Sequence, residues 1–188
     1  TRWSPPGYPE NCKFTAVPGN LTINTAYGTN RREASWLVPP LAEQAPGTAH
    51  LIINFAPLPN SAPFSVVTTQ TGIMVEAEPA LIERMHSARV ELDGADIGMP
   101  VTFEIEETIQ VTGRRFPAPL PERGFVDFDA SQQKLVAERM SNRKTAELLL
   151  FDKDGKLVAR YRWDISKLVA IRDLIDRVGW SCSAPPRK

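Results

Sequence analysis

The sequence predicts a mostly β fold, an antiparallel β-sandwich with two or three covering helices, on three observations. Short segments that alternate apolar and polar residues, rich in β-branched and aromatic types, recur between Leu51 and Trp163. The prolines are uneven: fifteen of the seventeen fall between Pro5 and Pro121, none lies between Glu122 and Ala184, and Pro185 and Pro186 follow. Strand-like and helix-like segments do not alternate regularly, which argues against a parallel βαβ arrangement. The 188 residues, 42% hydrophobic and 23% charged, suffice to bury one core. The expected organisation is a single β-rich domain over residues 1–188, loop-rich up to about residue 48.

Leu51-Ile52-Ile53-Asn54-Phe55 reads as a strand stopped by Pro57 and Pro59, and Phe64 to Gln70 and Ile73 to Glu76 as two more hinged at Gly72. Pro79, suited to a first helical turn, opens a short helix to Met85. Ala88 to Leu92 runs into Asp93-Gly94, a strong hairpin signal. Val101, Phe103 and Ile105 alternate with Thr102, Glu104 and Glu106, giving a half-buried strand with a solvated acidic face. Phe125 to Phe128 is a short strand. Asp129 then caps a helix, with Gln132 as the returning partner and Val136 and Met140 on its apolar face. Leu148 to Phe151 and Leu157 to Trp163, joined by Asp152-Lys153-Asp154-Gly155, form the clearest hairpin. The last helix carries Leu168, Ile171, Ile175 and Val178 on one stripe, with Arg177 in its final turn and Gly179 beyond. There is no internal repeat and no low-complexity tract.

Charge and cysteine content narrow the function classes. Twenty-two Lys plus Arg balance twenty-two Asp plus Glu, so the uncompensated positive field of a nucleic-acid or polybasic membrane binder is missing. No apolar run reaches the roughly 18–20 residues of a transmembrane segment. Cys12 and Cys182 either form one disulfide between the ends or remain two buried thiols. A bridge would remove on the order of 4–5 kcal/mol of unfolded-chain entropy and would need an oxidising compartment. The chain starts at Thr1 without a charged-plus-apolar leader, which a removed signal peptide or a trimmed chain would equally leave. Asn20-Leu21-Thr22 is a single glycosylation sequon.

Five motifs occur in a suggestive order: Leu51 to Pro57; Thr71-Gly72-Ile73-Met74-Val75; Ala88 to Gly94 followed by Gly98 and Phe103; Val126-Asp127-Phe128-Asp129 before a helix; and Arg162-Trp163-Asp164-Ile165 leading to Leu174-Ile175. In order and spacing, this stretch of about two thirds of the chain resembles the invasion-associated locus B family of bacterial periplasmic or secreted proteins. The resemblance implies a β-sandwich-like, non-enzymatic envelope protein and transfers no catalytic residue. The cysteines depart from the family pattern, since only Cys12 is early and Cys182 is its one available partner.

Candidate chemistry is sparse. Glu104, Glu106 and Glu107, or Asp127 and Asp129, offer paired carboxylates for acid–base work, although solvated strand faces and helix caps account for them as well. The two cysteines, His50 and His86 lack metal-ligand spacing, so no zinc site is expected. Asp152 to Gly155 is a hairpin turn rather than a calcium loop, because Leu150 and Phe151 stand where the first acids belong. No nucleophile elbow, metalloprotease helix or phosphate loop is present.

The most distinctive surface candidate is Arg114-Arg115-Phe116-Pro117-Ala118-Pro119-Leu120-Pro121-Glu122-Arg123. It reads as an extended, partly polyproline segment with three guanidinium groups and an aromatic ring, either a stiff inter-strand loop or a contact for a partner or ligand. Trp3, Tyr8, Tyr27 and Trp36 lie in the loop-rich start and would suit sugar stacking or a protein interface if exposed; Trp163 and Trp180 read as core. The sequence thus points to a non-catalytic periplasmic or secreted binding protein without cofactor or metal. It would contact a protein or glycan partner through Arg114, Arg115, Phe116, Arg123, Tyr27 and Trp36. The alternatives are a hydrolase with a dispersed carboxylate site at Glu104, Glu106 and Asp127, and an inhibitor or immunity protein blocking a secreted enzyme.

Overall fold

Alternation of buried and half-buried residues dominates the long strands, and it builds two sheets. The computed structural model describes residues 10–14, 18–25, 32–57, 66–117 and 120–177. The first sheet has seven strands. Its β1 (Glu10–Phe14), β2 (Asn20–Thr25), β3 (Arg32–Leu37), β4 (Thr48–Pro57) and β5 (Val66–Glu76) form a meander; β11 (Arg123–Phe128) pairs with β5, and β8 (Val101–Ile105) is the far edge. The second sheet has four strands, in the order β13 (Leu157–Asp164), β12 (Thr145–Phe151), β6 (Ser87–Leu92) and β7 (Ala95–Asp96). A separate two-stranded ribbon pairs β9 (Thr108–Val111) with β10 (Arg114–Pro117). Every one of these pairings is antiparallel, as the sequence predicts.

Register explains which residues are inside. Leu21, Trp36, Ile53 and Thr71 stand opposite one another across β2 to β5, and all four are buried. Directly opposed residues share a face, so this row and its neighbours one pleat away turn a continuous apolar surface inward. Val90, Leu148, Tyr161 and Trp163 from the second sheet meet it in one core, closed by Ile82, Val136, Met140 and Ile171 from the helices. Those helices are α1 (Pro79–Ile82), α2 (Gln133–Met140) and α3 (Leu168–Arg177). Both α2 and α3 lie against β5.

Where β11 leaves β5 beyond the Val126–Ile73 pair, the side chain of Gln133 replaces the missing strand: Thr71 N donates to its Oε1 at 2.8 Å. The two sheets are also stitched at an edge. Leu41 N donates to Arg162 O and Asp164 N to Pro39 O, both at 3.0 Å, around an isolated bridge between Pro40 and Trp163.

Several expectations need correction. The segment to residue 48, expected to be loop-rich, contributes three strands, because Leu21 and Ile23, then Ala34 and Trp36, supply alternate buried positions. Gly72 is not a hinge. Strand β5 runs through it, paired with Ile52, and the irregularity sits three residues earlier in β5, where Thr69 is the extra residue opposite the Asn54–Phe55 step. Asp129 does cap, accepting from Ser131 N at 3.2 Å, but it opens a short 3₁₀ turn at Ala130–Gln132 ahead of α2. Gln132 Oε1 is buried without a hydrogen-bond partner, so the reciprocal bond expected of it is not made.

The hairpin at Asp93-Gly94 forms as expected, with both residues at positive φ. Asp93 also takes the amides of Lys144 and Thr145 at 3.0 and 2.9 Å, tying this turn to the start of β12. These bonds, that from Thr145 above all, hold its carboxyl below the usual range.

Candidate functional site

The segment from Val101 to Phe128 is one long hairpin with two parts. Its roots, β8 and β11, pair from Val101–Phe128 to Ile105–Gly124 and belong to the seven-stranded sheet. Its distal part, β9 and β10, pairs from Thr108–Pro117 to Val111–Arg114 and belongs to neither main sheet. The turn is Thr112-Gly113, both at positive φ (48° and 79°), the geometry of the tight turns that match strand twist. The expected polyproline segment is therefore a β-strand at 114–117. The β-branched residues of Thr108-Ile109-Gln110-Val111 give it a partner, and Thr-Gly supplies the turn.

Arg114, Arg115 and Phe116 are all exposed on this arm, Phe116 at 45% and neighbouring Val111 at 49%. Opposed residues share a face, so Val111, Arg114 and Phe116 lie on one side of the ribbon and Arg115 on the other. Neither arginine of the arm has an ion-pair partner among the described residues. Arg123 is different. It sits at the root opposite Glu76, whose carboxylate it meets at 3.5 Å.

The aromatic candidates separate sharply. Trp36 is fully buried, and its Nε1 donates to Pro18 O at 2.8 Å, so it belongs to the core and cannot be a contact platform. Its position in the row with Leu21 and Ile53 dictates this. Trp163 is core as expected. Tyr27, Trp3, Tyr8 and Trp180 lie outside the described residues, as does Cys182 and hence the proposed bridge; Cys12 sits in β1 opposite Ile23.

Among the described residues charged side chains line several grooves, two of which hold residues that the sequence singles out. One, of ≈ 420 Å³, is lined by Pro100, Thr102, Glu104, Asp127, Phe128, Asp129 and Gln132. Register places Thr102 opposite Asp127, and Glu104 is one pleat further along the same face, so the strands themselves gather these carboxylates. Glu106 and Glu107 do not line it; Glu106 instead continues the root pairing by donating its amide to Arg123 O at 2.9 Å. The other groove, of ≈ 450 Å³, is lined by Glu83, Arg84, His86, Asp152, Lys153 and Asp154. There the Asp152 carboxylate accepts from the amides of Asp154 and Lys156, both at 2.9 Å, and these bonds, Lys156's foremost, keep it ionised below the usual carboxyl range. Asp152 is thus committed to the β12–β13 turn. Among the described residues no group of three or more His, Cys, Asp or Glu is placed to hold a metal ion, and no helix is long and apolar enough to cross a membrane.

Sequence reasoning found the arginines and Phe116 but missed the strand that presents them. The available signal was Thr112-Gly113 between an alternating, β-branched run and Arg114. Comparison of the chain with family models, with curated proteins and with solved structures finds no match.

Proposed function

We propose that this chain is a non-catalytic binding protein of a bacterial envelope, periplasmic or secreted, and that the β9–β10 arm is its contact element. The observation that carries the reading is the exposure of Phe116 and Val111 on a ribbon outside both main sheets, together with two arginines that have no ion-pair partner among the described residues. An aromatic anchor flanked by guanidinium groups is the composition that dominates binding energy in protein interfaces. The envelope setting rests on the family resemblance and on a Cys12–Cys182 bridge, which alkylation and mass spectrometry with and without reductant would detect. The protein carrying Arg115→Ala and Phe116→Ala together is expected to lose capture of its partner from an envelope fraction while keeping its melting temperature. A large loss of melting temperature instead would assign both side chains to the fold.

A second reading, a hydrolase, draws on the shared groove of Glu104 and Asp127. Asp127→Asn abolishing a hydrolytic activity would favour it, and unchanged activity would remove that site.

A further inference from the structure

We propose that the arm's partner is a second copy of this chain, each arm seating in the carboxylate groove of the other; this rests on the arm being the contact element. The arm, residues 108–117, carries two arginines and no acid. The groove presents Glu104, Asp127 and Asp129 beside Pro100 and Phe128, with no cation in its lining. A ribbon that carries an arginine on each face and a groove of carboxylates are complementary in charge.

Placement makes the exchange reciprocal. The groove and the arm occupy opposite ends of one hairpin, with about ten residues between Thr102 and the turn, roughly 33 Å at full extension. A two-fold axis midway along that hairpin sends each arm to the other copy's groove in a single closed contact, with no surface left to propagate a chain. Strand β8 is the edge of its sheet, so no strand of the same sheet stands between the copies. Arms of four paired residues per strand gain from such docking, because an isolated two-stranded hairpin is marginally stable in water. Glu106 and Glu107 lie near the axis and repel their symmetry mates, which offsets part of the arm–groove attraction and keeps the association weak; that attraction is between exposed charges, so salt screens it.

Sedimentation velocity on the full chain, at up to ~0.5 mM to populate a small interface, tests this. A dimer is expected at ~0.02 M NaCl and a monomer at ~0.5 M, where surface charges are screened. Arg114→Glu with Arg115→Glu, and separately Glu104→Lys with Asp127→Lys, should each weaken self-association by at least about tenfold. Mixed in equal amounts they should dimerise again. In that heterodimer the reversed arm meets the reversed groove, and the native arm meets the native groove. Glu104→Lys alone, paired with Arg115→Glu alone, repeats the test if a double variant fails to fold. A wild-type chain that stays monomeric at low salt, variants that dimerise like wild type, or a mixture that stays monomeric overturns the proposal. If it falls while Arg115→Ala with Phe116→Ala still loses partner capture, the arm remains the contact element for another partner. Unchanged capture would remove that reading too.

Discussion

In the hairpin of β12 and β13, Ala146, Leu148, Leu150, Ala159, Tyr161 and Trp163 all turn into the core. In the ribbon of β9 and β10, Val111 and every residue from Arg114 to Pro117 are exposed. Both are antiparallel pairs, and both turns use a glycine at nearly the same φ, 76° at Gly155 and 79° at Gly113. The turns differ in length, two residues at Thr112-Gly113 against five at 152–156, but each depends on one glycine in the left-handed region. The difference in exposure lies in what the second face meets, so one hairpin is a wall of the protein and the other is available for contact.

The largest effect that separates them is at the aromatic positions. Trp163→Ala should cost about 3–5 kcal/mol, from lost burial and the cavity left behind. Chemical denaturation would read it, and a loss below about 1 kcal/mol would mean the hairpin is not integral to the core.

Tyr161 gives the next effect. Its hydroxyl donates to Pro46 O, and burial pushes its pKa from 10.0 up to about 12. A raised pKa means the folded state favours the protonated phenol. The associated stability is complete below the ordinary value and is lost as pH rises through about 12. Tyr161→Phe should abolish that alkaline decline in a pH series of denaturation midpoints.

Smaller still is the matched pair of turn glycines, neither with any atom within 4 Å of an added Cβ. Gly155→Ala carries only the conformational penalty of positive φ, about 1 kcal/mol, and it should appear in global unfolding. Gly113→Ala carries the same penalty, but it should leave the global midpoint within ~0.5 kcal/mol because the ribbon opens locally. Its signature would be faster amide exchange at Val111 and Arg114. Equal global losses at the two glycines would show that the arm unfolds with the body. Smallest of all is Phe116→Ala, with stability unchanged within ~0.5 kcal/mol.

Much of the body was legible in the sequence, since β6, β8 and β13 alternate, β4 and β12 carry apolar runs bounded by turn or proline signals, and Asp93-Gly94 is an unambiguous turn. The meander before residue 48 was not. Asn20-Leu21-Thr22-Ile23-Asn24-Thr25 alternates, but half of it is polar and short, and only pairing with β3 gives it a buried face. Trp36 was misplaced for the same reason: its burial is a property of the row across β2 to β5 and not of its neighbours in sequence. The candidate site was half legible. Residue type singled out Arg114, Arg115 and Phe116, while the prolines at 117, 119 and 121 hid the short strand before them. The groove of Glu104, Asp127 and Asp129 depends on the β8–β11 register, which no local pattern specifies.

The pairing of Ile105 with Gly124, extended by the bond from Glu106 N to Arg123 O, has a consequence for how this protein can change. The chain leaves and re-enters the seven-stranded sheet at neighbouring points. Everything between is an excursion whose length the sheet does not specify. Such a position tolerates trimming to a simple turn, lengthening, or replacement by a foreign peptide, because the hydrogen-bond ladder below it closes regardless. The body can therefore stay constant while this one segment is exchanged, which makes it the natural place to display a new sequence on an unaltered scaffold.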